Sequence, residues 1–178
     1  MQIQLRKVLR KRKSKDVEKL KEILRKRKIH VYLCGPITFV EERQAYRESI
    51  KLGLEKISKK FVIHDPWERE QIKWKGTPFS SIIEESEKFL MAEDIIIEDL
   101  KDIKQCDILI AYLFRIGAGS AMEIFWAKRI LNKPVVLIYT YKEDGGRIPL
   151  WLWGHADLIF SSQKRMLKYF RDLMEGLE

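Results

Sequence analysis

Four short apolar runs limit what this chain can fold into. Ile29-His-Val-Tyr-Leu-Cys34, Phe61-Val-Ile-His64, Ile108-Leu-Ile-Ala111 and Val135-Val-Leu-Ile-Tyr139 are β-rich and bounded by turn residues or helical patterns. The last two are apolar throughout, the mark of a strand covered on both faces. Such strands, alternating with helices through right-handed crossovers, build a doubly wound parallel α/β sheet. A helix is expected over about 42–59, with Tyr46, Ile50, Leu54 and Ile57 inward. Helical patterns follow at about 80–91 and 93–105, then from the end of the third strand (107–113) to about 132, and at 162–176. Leu158-Ile-Phe160 supplies a short fifth strand. About five strands suits a flavodoxin-like sheet better than the larger dinucleotide-binding one. Residues 65–80, with Trp67, Trp74, Gly76 and Pro78, lack periodicity and read as a long connection of the kind that forms lids.

The net charge of +9 is unevenly spread. Residues 1–28 hold 13 Lys/Arg against 3 Asp/Glu, while the rest of the chain is about neutral. Residues 1–28 are therefore read as a basic extension and 29–178 as the main domain. Ser14 can cap a helix over 15–28 that carries Val17, Leu20 and Leu24 on one face. Such an arm either makes weak contact with polyanions or docks as a solvated helix; no aromatic interleaves its charges, as single-strand stacking would need. Cys34 and Cys106 sit beside apolar runs and read as buried free thiols. No Cys/His cluster has metal-ligand spacing. No run is long enough to span a membrane and none resembles a signal peptide, so a cytoplasmic location is expected. Neither G-x-G-x-x-G after the first strand nor G-x-x-x-x-G-K-[ST] occurs, which removes the NAD fingerprint and the P-loop. No cofactor is expected.

The chemistry concentrates where strands end. Leu113-Phe-Arg-Ile-Gly-Ala-Gly-Ser-Ala-Met-Glu123 runs from the third strand through a glycine turn into an apolar helix. Ligands of open α/β sheets bind at such carboxyl ends. A Glu beside a helix N-terminus is expected to be held ionised by the dipole and free amides, and an ionised carboxylate there can act as a nucleophile. Ser120-x-x-Glu123 is equally a capping box. Tyr32 and Gly35 end the first strand, His64-Asp65 the second, and Asp99 precedes the third. Each has an ordinary structural explanation alone; together they can set two carboxylates and a phenol around one pocket.

The order of these pieces resembles the nucleoside 2-deoxyribosyltransferase family and the related 2′-deoxynucleoside 5′-phosphate N-hydrolases. The resemblance runs over roughly residues 29–140, more weakly to 174. It rests on Val31-Tyr-Leu-Cys-Gly-Pro-Ile37, Glu42-Arg-Gln-Ala-Tyr46, Glu98-Asp-Leu-x-x-Ile-x-x-Cys-Asp107, Gly119-x-x-x-Glu123-x-x-x-Ala127 and Lys133-Pro-Val. It implies that Glu123 is the nucleophile that attacks C1′ and forms a glycosyl-enzyme. It implies that Asp99 is the acid at the base or C1′ region and that Tyr32 orients the nucleophile. Gly35, Pro36, Ile37 and Thr38 match the loop over the sugar, and His64 a base-side contact. Gly117, Gly119 and Ser120 complete the expected binding set. The substrates would be a deoxynucleoside or deoxynucleotide and a free nucleobase, and the active form a homo-oligomer.

The chain departs from the family pattern at three places. Gly117 stands where the transferases often carry an Asp and the phosphate hydrolases a Ser. No arginine lies near Thr38, and no Ser or Asn near Pro149-Leu150. The missing phosphate ligands favour nucleosides. Trp67, Trp74, Trp151 and Trp153 either stack on a base or pack in core and interface. A competing class is a non-catalytic nucleotide- or nucleic-acid-binding module, in which Glu123 is only a cap.

Overall fold

The computed structural model describes residues 15–73, 84–141 and 146–177. Five strands form one all-parallel sheet in the order β2-β1-β3-β4-β5. They are β1 (Ile29–Cys34), β2 (Phe61–His64), β3 (Ile108–Leu113), β4 (Val135–Tyr139) and β5 (Leu158–Phe160). The expected flavodoxin-like order is therefore present.

Helices cover both faces. α1 (15–24), α2 (Ala45–Ile57) and α7 (Gln163–Glu175) lie on the side to which Ile29, Val31, Leu33, Ile108 and Ile110 point. α4 (Glu85–Gln105), α5 (Ala118–Phe125) and α6 (Leu150–His155) cover the other, against Tyr32, Cys34, Leu109, Ala111 and Leu137. α7 buries Met166, Phe170 and Met174 at four-residue spacing, and Ser162 caps it by accepting from the Arg165 N–H at 3.3 Å. α2 meets α7 at Gly53, where a Cβ would collide with Leu167.

Of the two readings of the basic segment, docking is the one that α1 takes. Leu20, Ile23 and Leu24 are buried among Ile29, Val31 and Ile50. At its exit Lys26 Nζ pairs with Asp107 Oδ1 at 2.6 Å, while Asp107 Oδ2 accepts from the His30 N–H at 2.9 Å. The boundary read at residue 28 from charge thus coincides with no break in packing. Ser14, its expected cap, lies outside the described residues.

Two expectations about the middle of the chain are corrected. The helical patterns at 80–91 and 93–105 form one continuous helix, α4, because no Gly or Pro interrupts Glu85–Gln105. Part of the supposed connection 65–80 is also helical: α3 (Pro66–Lys73). Asp65 caps it by accepting from the Trp67 N–H at 3.1 Å, and Pro66 takes the first helical position, where its missing N–H costs nothing. Trp74, Gly76 and Pro78 lie outside the described residues. The helix after β3 ends in a π-turn over Trp126–Ile130. Among the described residues no helix is long and apolar enough to cross a membrane.

Candidate active site

The chain leaves β1 for β2 on one side and returns to β3 on the other, so a crevice opens beyond the carboxyl ends of β1 and β3. A cavity of about 530 Å³ occupies it. Its walls include Gly35, Pro36, Ile37 and Thr38 after β1, Gly117, Gly119, Ser120 and Glu123 after β3, and Asp99 from α4. The structure thus brings together all the expected site residues except two. Tyr32 is fully buried on β1 and connects to the wall only through its hydroxyl's bond to Glu123. His64 is not part of the wall. Its Nε2 shares a hydrogen bond with His30 Nδ1 at 2.9 Å, and its Nδ1 lies 3.6 Å from Asp102.

Glu123 is held by one oxygen only. The Tyr32 hydroxyl donates to Oε1 at 3.1 Å. Oε2 is buried without a hydrogen-bond partner. A buried acceptor left in this state is unusual and needs a reason. Burial, then the nearby Asp99 carboxylate, pushes Glu123 up to about 8, against the lowering pull of Cys34, Tyr32 and Arg47. Burial and the same two carboxylates raise the Tyr32 phenol well above its ordinary value, so it stays a donor.

This overturns two expectations. Glu123 is not a capping residue, since Gly117 is the N-cap, no side chain caps α5, and Ser120 lies inside the helix. The first turn of α5 holds no acidic residue, so Glu123 stands a turn too deep for the dipole to hold it ionised. Desolvation wins instead.

Asp99, largely buried on α4, is paired with Arg69 of α3, whose guanidinium also binds Asp102. Burial raises the Asp99 carboxyl, and the Arg69 hydrogen bond and charge oppose that rise. The floor of the site is tied down by Arg47, which is itself buried. It donates to Leu33 O at 2.9 Å, Gly35 O at 3.0 Å, Gln44 Oε1 at 2.7 Å and Asp65 Oδ1 at 2.8 Å. Gly35 leaves room for the Tyr46 hydroxyl, which a Cβ would strike. Among the described residues no group of three His, Cys, Asp or Glu side chains is arranged to hold a metal.

Sequence reasoning missed Arg47, Arg69 and Glu70. The last two stand on α3, and the signal for that helix was Asp65-Pro66, an N-cap followed by proline, with Glu68 in the first turn.

A family model described as nucleoside 2-deoxyribosyltransferase matches residues 31–155. The chain belongs to this family, whose chemistry is glycosyl transfer at a nucleoside. Among solved structures, a conserved protein from Enterococcus faecalis V583 aligns with a TM-score of 0.58 at 18% identity, over 82% of this chain and 98% of that one. A 2-deoxyribosyltransferase from Bacillus psychrosaccharolyticus aligns with a TM-score of 0.58 at 23% identity, over 81% and 95%. Both share the fold. A CMP N-glycosidase from Clostridium botulinum aligns with a TM-score of 0.49 at 18% identity, over 79% and 96%. No curated protein matches the sequence.

Proposed function

We propose that this protein cleaves or exchanges the N-glycosidic bond of 2′-deoxynucleosides through a glycosyl-enzyme on Glu123. The observation that carries the reading is the single free oxygen of Glu123. Oε1 is oriented by Tyr32, Oε2 is buried without a hydrogen-bond partner, and Glu123 is one of the residues that line the cavity. Oε2 attacks C1′ on the face opposite the base. The C1′–N bond breaks and its electron pair leaves with the base. Attack by a second base then gives transfer, and attack by water gives hydrolysis. The Asp99 carboxylate, fixed by Arg69, stabilises the positive charge that develops at C1′. Gly35, Pro36, Ile37 and Thr38 cover the sugar.

The cavity favours a neutral nucleoside over its 5′-phosphate. Glu41, Glu70, Asp99 and Glu123 line it, against one cation, Arg115, among the described residues. That exposed Arg115, beside Gly117 at the start of α5, is the one observation that favours the second reading, 5′-phosphate N-hydrolysis.

The reading also includes a second copy of the chain on the α5–α6 face and weak polyanion contact through the basic N-terminal segment. The test is incubation with a panel of deoxynucleosides and their 5′-monophosphates, with and without an acceptor base. New nucleosides are expected only when the acceptor is present, together with an intact-protein mass increase of one deoxyribosyl unit, absent in Glu123→Gln. No released base from any substrate would overturn the reading. A salt-sensitive shift of nucleic acid in its place would indicate a binding module.

A further inference from the structure

A carboxyl that neither the sequence pattern nor the glycosyl-enzyme step accounts for also lines the cavity. Glu70 stands on α3, half-buried, in the wall that it shares with Asp99 and Glu123. No hydrogen bond or ion pair joins its carboxyl to any described residue. Its neighbour Arg69 is already committed to Asp99 and Asp102. Asp65 is committed to Arg47 and the Trp67 N–H. The charges that act on Glu70 are therefore Asp99 from α4, Arg69 and Asp65 beside it, and Arg47 from α2.

Cleavage needs a proton at the departing nitrogen base as well as a nucleophile at C1′. A carboxyl locked to a guanidinium is a poor proton donor. Asp99 is in that position, and Glu70 is free of it. We infer that Glu70 delivers the proton to the leaving base and takes one back in the second half-reaction. This role rests on the glycosidic reading proposed above.

Glu123 Oε2 forms a bond to C1′ as the C1′–N bond breaks. The electron pair passes into the base, whose ring nitrogen takes the proton of the Glu70 carboxylic acid and leaves Glu70 as a carboxylate. Water or an incoming base N–H then attacks C1′ and gives its proton to Glu70. The C1′–Oε2 electrons return to Glu123. Burial, then the Asp99 charge, lifts Glu70 to about 7, so it carries a proton in a useful fraction of molecules at neutral pH. The productive form carries its proton on Glu70 and none on Glu123; because Glu123 is lifted further, to about 8, this is the smaller share of the singly protonated molecules.

The experiment compares two substrates in the wild type, Glu70→Gln and Asp99→Asn. One is 2′-deoxyadenosine, whose base needs a proton to leave. The other is 7-methyl-2′-deoxyguanosine, whose cationic base leaves neutral without one. In the single-turnover rate of base release, which reports the first half-reaction alone, Glu70→Gln is expected to slow the first substrate by about 10²–10⁴-fold and to leave the second within a few fold. Retained cleavage of the methylated substrate also shows the variant folded. The alkaline fall of the kcat/KM profile should vanish in Glu70→Gln, because only the acid requirement produces it. Glu70→Asp should restore part of the loss. Equal losses on both substrates, or wild-type rates on both, overturn the role, as does substrate-selective loss in Asp99→Asn alone. A wild type that cleaves neither substrate overturns the glycosidic reading, and this role with it.

Discussion

One oxygen of Glu123 has a donor, the other has none, and both sit where a carboxylate is poorly solvated. The charged form is therefore stabilised less in the folded protein than in the unfolded chain. The folded-state value of about 8 lies above the ordinary 4.5, so the folded state binds more protons between them and stability falls as pH rises through that window. Glu123→Gln removes the liability along with the proposed nucleophile. It is expected to abolish turnover by several orders of magnitude while raising thermal stability. The gain over the wild type should be small at pH 5, grow up to pH 8 and level off above it, reaching on the order of a few kcal/mol. Thermal unfolding at a series of pH values checks this; a gain that shrinks with pH would remove the desolvation argument. Arg47 behaves in the opposite way. Arg47→Met leaves Asp65 buried without its partner and frees two backbone carbonyls, so a loss of about 3–5 kcal/mol is expected in denaturant titrations.

At the scale of elements, α1 and α3 are the informative ones. α1 itself balances three lysines against three acidic residues, the basic excess of residues 1–28 lying on either side of it, and its apolar stripe is buried among residues of β1 and α2. Leu24→Ala should destabilise by about 2–5 kcal/mol, as for any well-packed leucine. Removal of residues 1–28 should expose Ile29 and Val31 and yield an unstable, aggregating protein rather than a trimmed enzyme. Soluble, active protein after that deletion would mean that α1 is dispensable to the core. The stripe of Val17, Leu20 and Leu24 made docking legible as one of two readings; charge could not choose between them, because docking needs only a few apolar side chains on one face. α3 was illegible for the converse reason. Pro66–Lys73 is short, polar and leaves Ile72 exposed, so no hydrophobic period marks it. Its helix signal lies in its cap, and Arg69 and Glu70 went unnoticed with it. The strands were legible because parallel strands buried on both faces read as apolar runs. Glu123 was singled out by its place after the third strand and Asp99 by motif order, since nothing local to either residue distinguishes it from a capping or surface residue. The depth of Glu123 within α5, which decides its ionisation, depended on where the helix begins.

For the whole molecule, the α5–α6 face stands out. Leu150, Trp151 and Met122 are 80%, 73% and 72% exposed, and Phe125, Arg129 and Trp151 line a shallow groove with His155. Aromatic surface of this kind is rarely left in water and is enriched at interface centres. Sedimentation equilibrium is expected to give a dimer or larger assembly, shifted towards monomer by paired Trp151→Ser and Trp153→Ser; a monomeric wild type with full activity would refute the expectation. The strand order carries a consequence for how the protein is made. β1 emerges first but sits inside the sheet, between β2 and β3, and its second edge stays bare until β3 has been synthesised. Tyr32 meets Glu123 across 91 residues of chain, a contact that no local folding can supply. A chain released just before Glu123 therefore lacks the proposed nucleophile and, without β4, leaves one edge of β3 unpaired and open to aggregation.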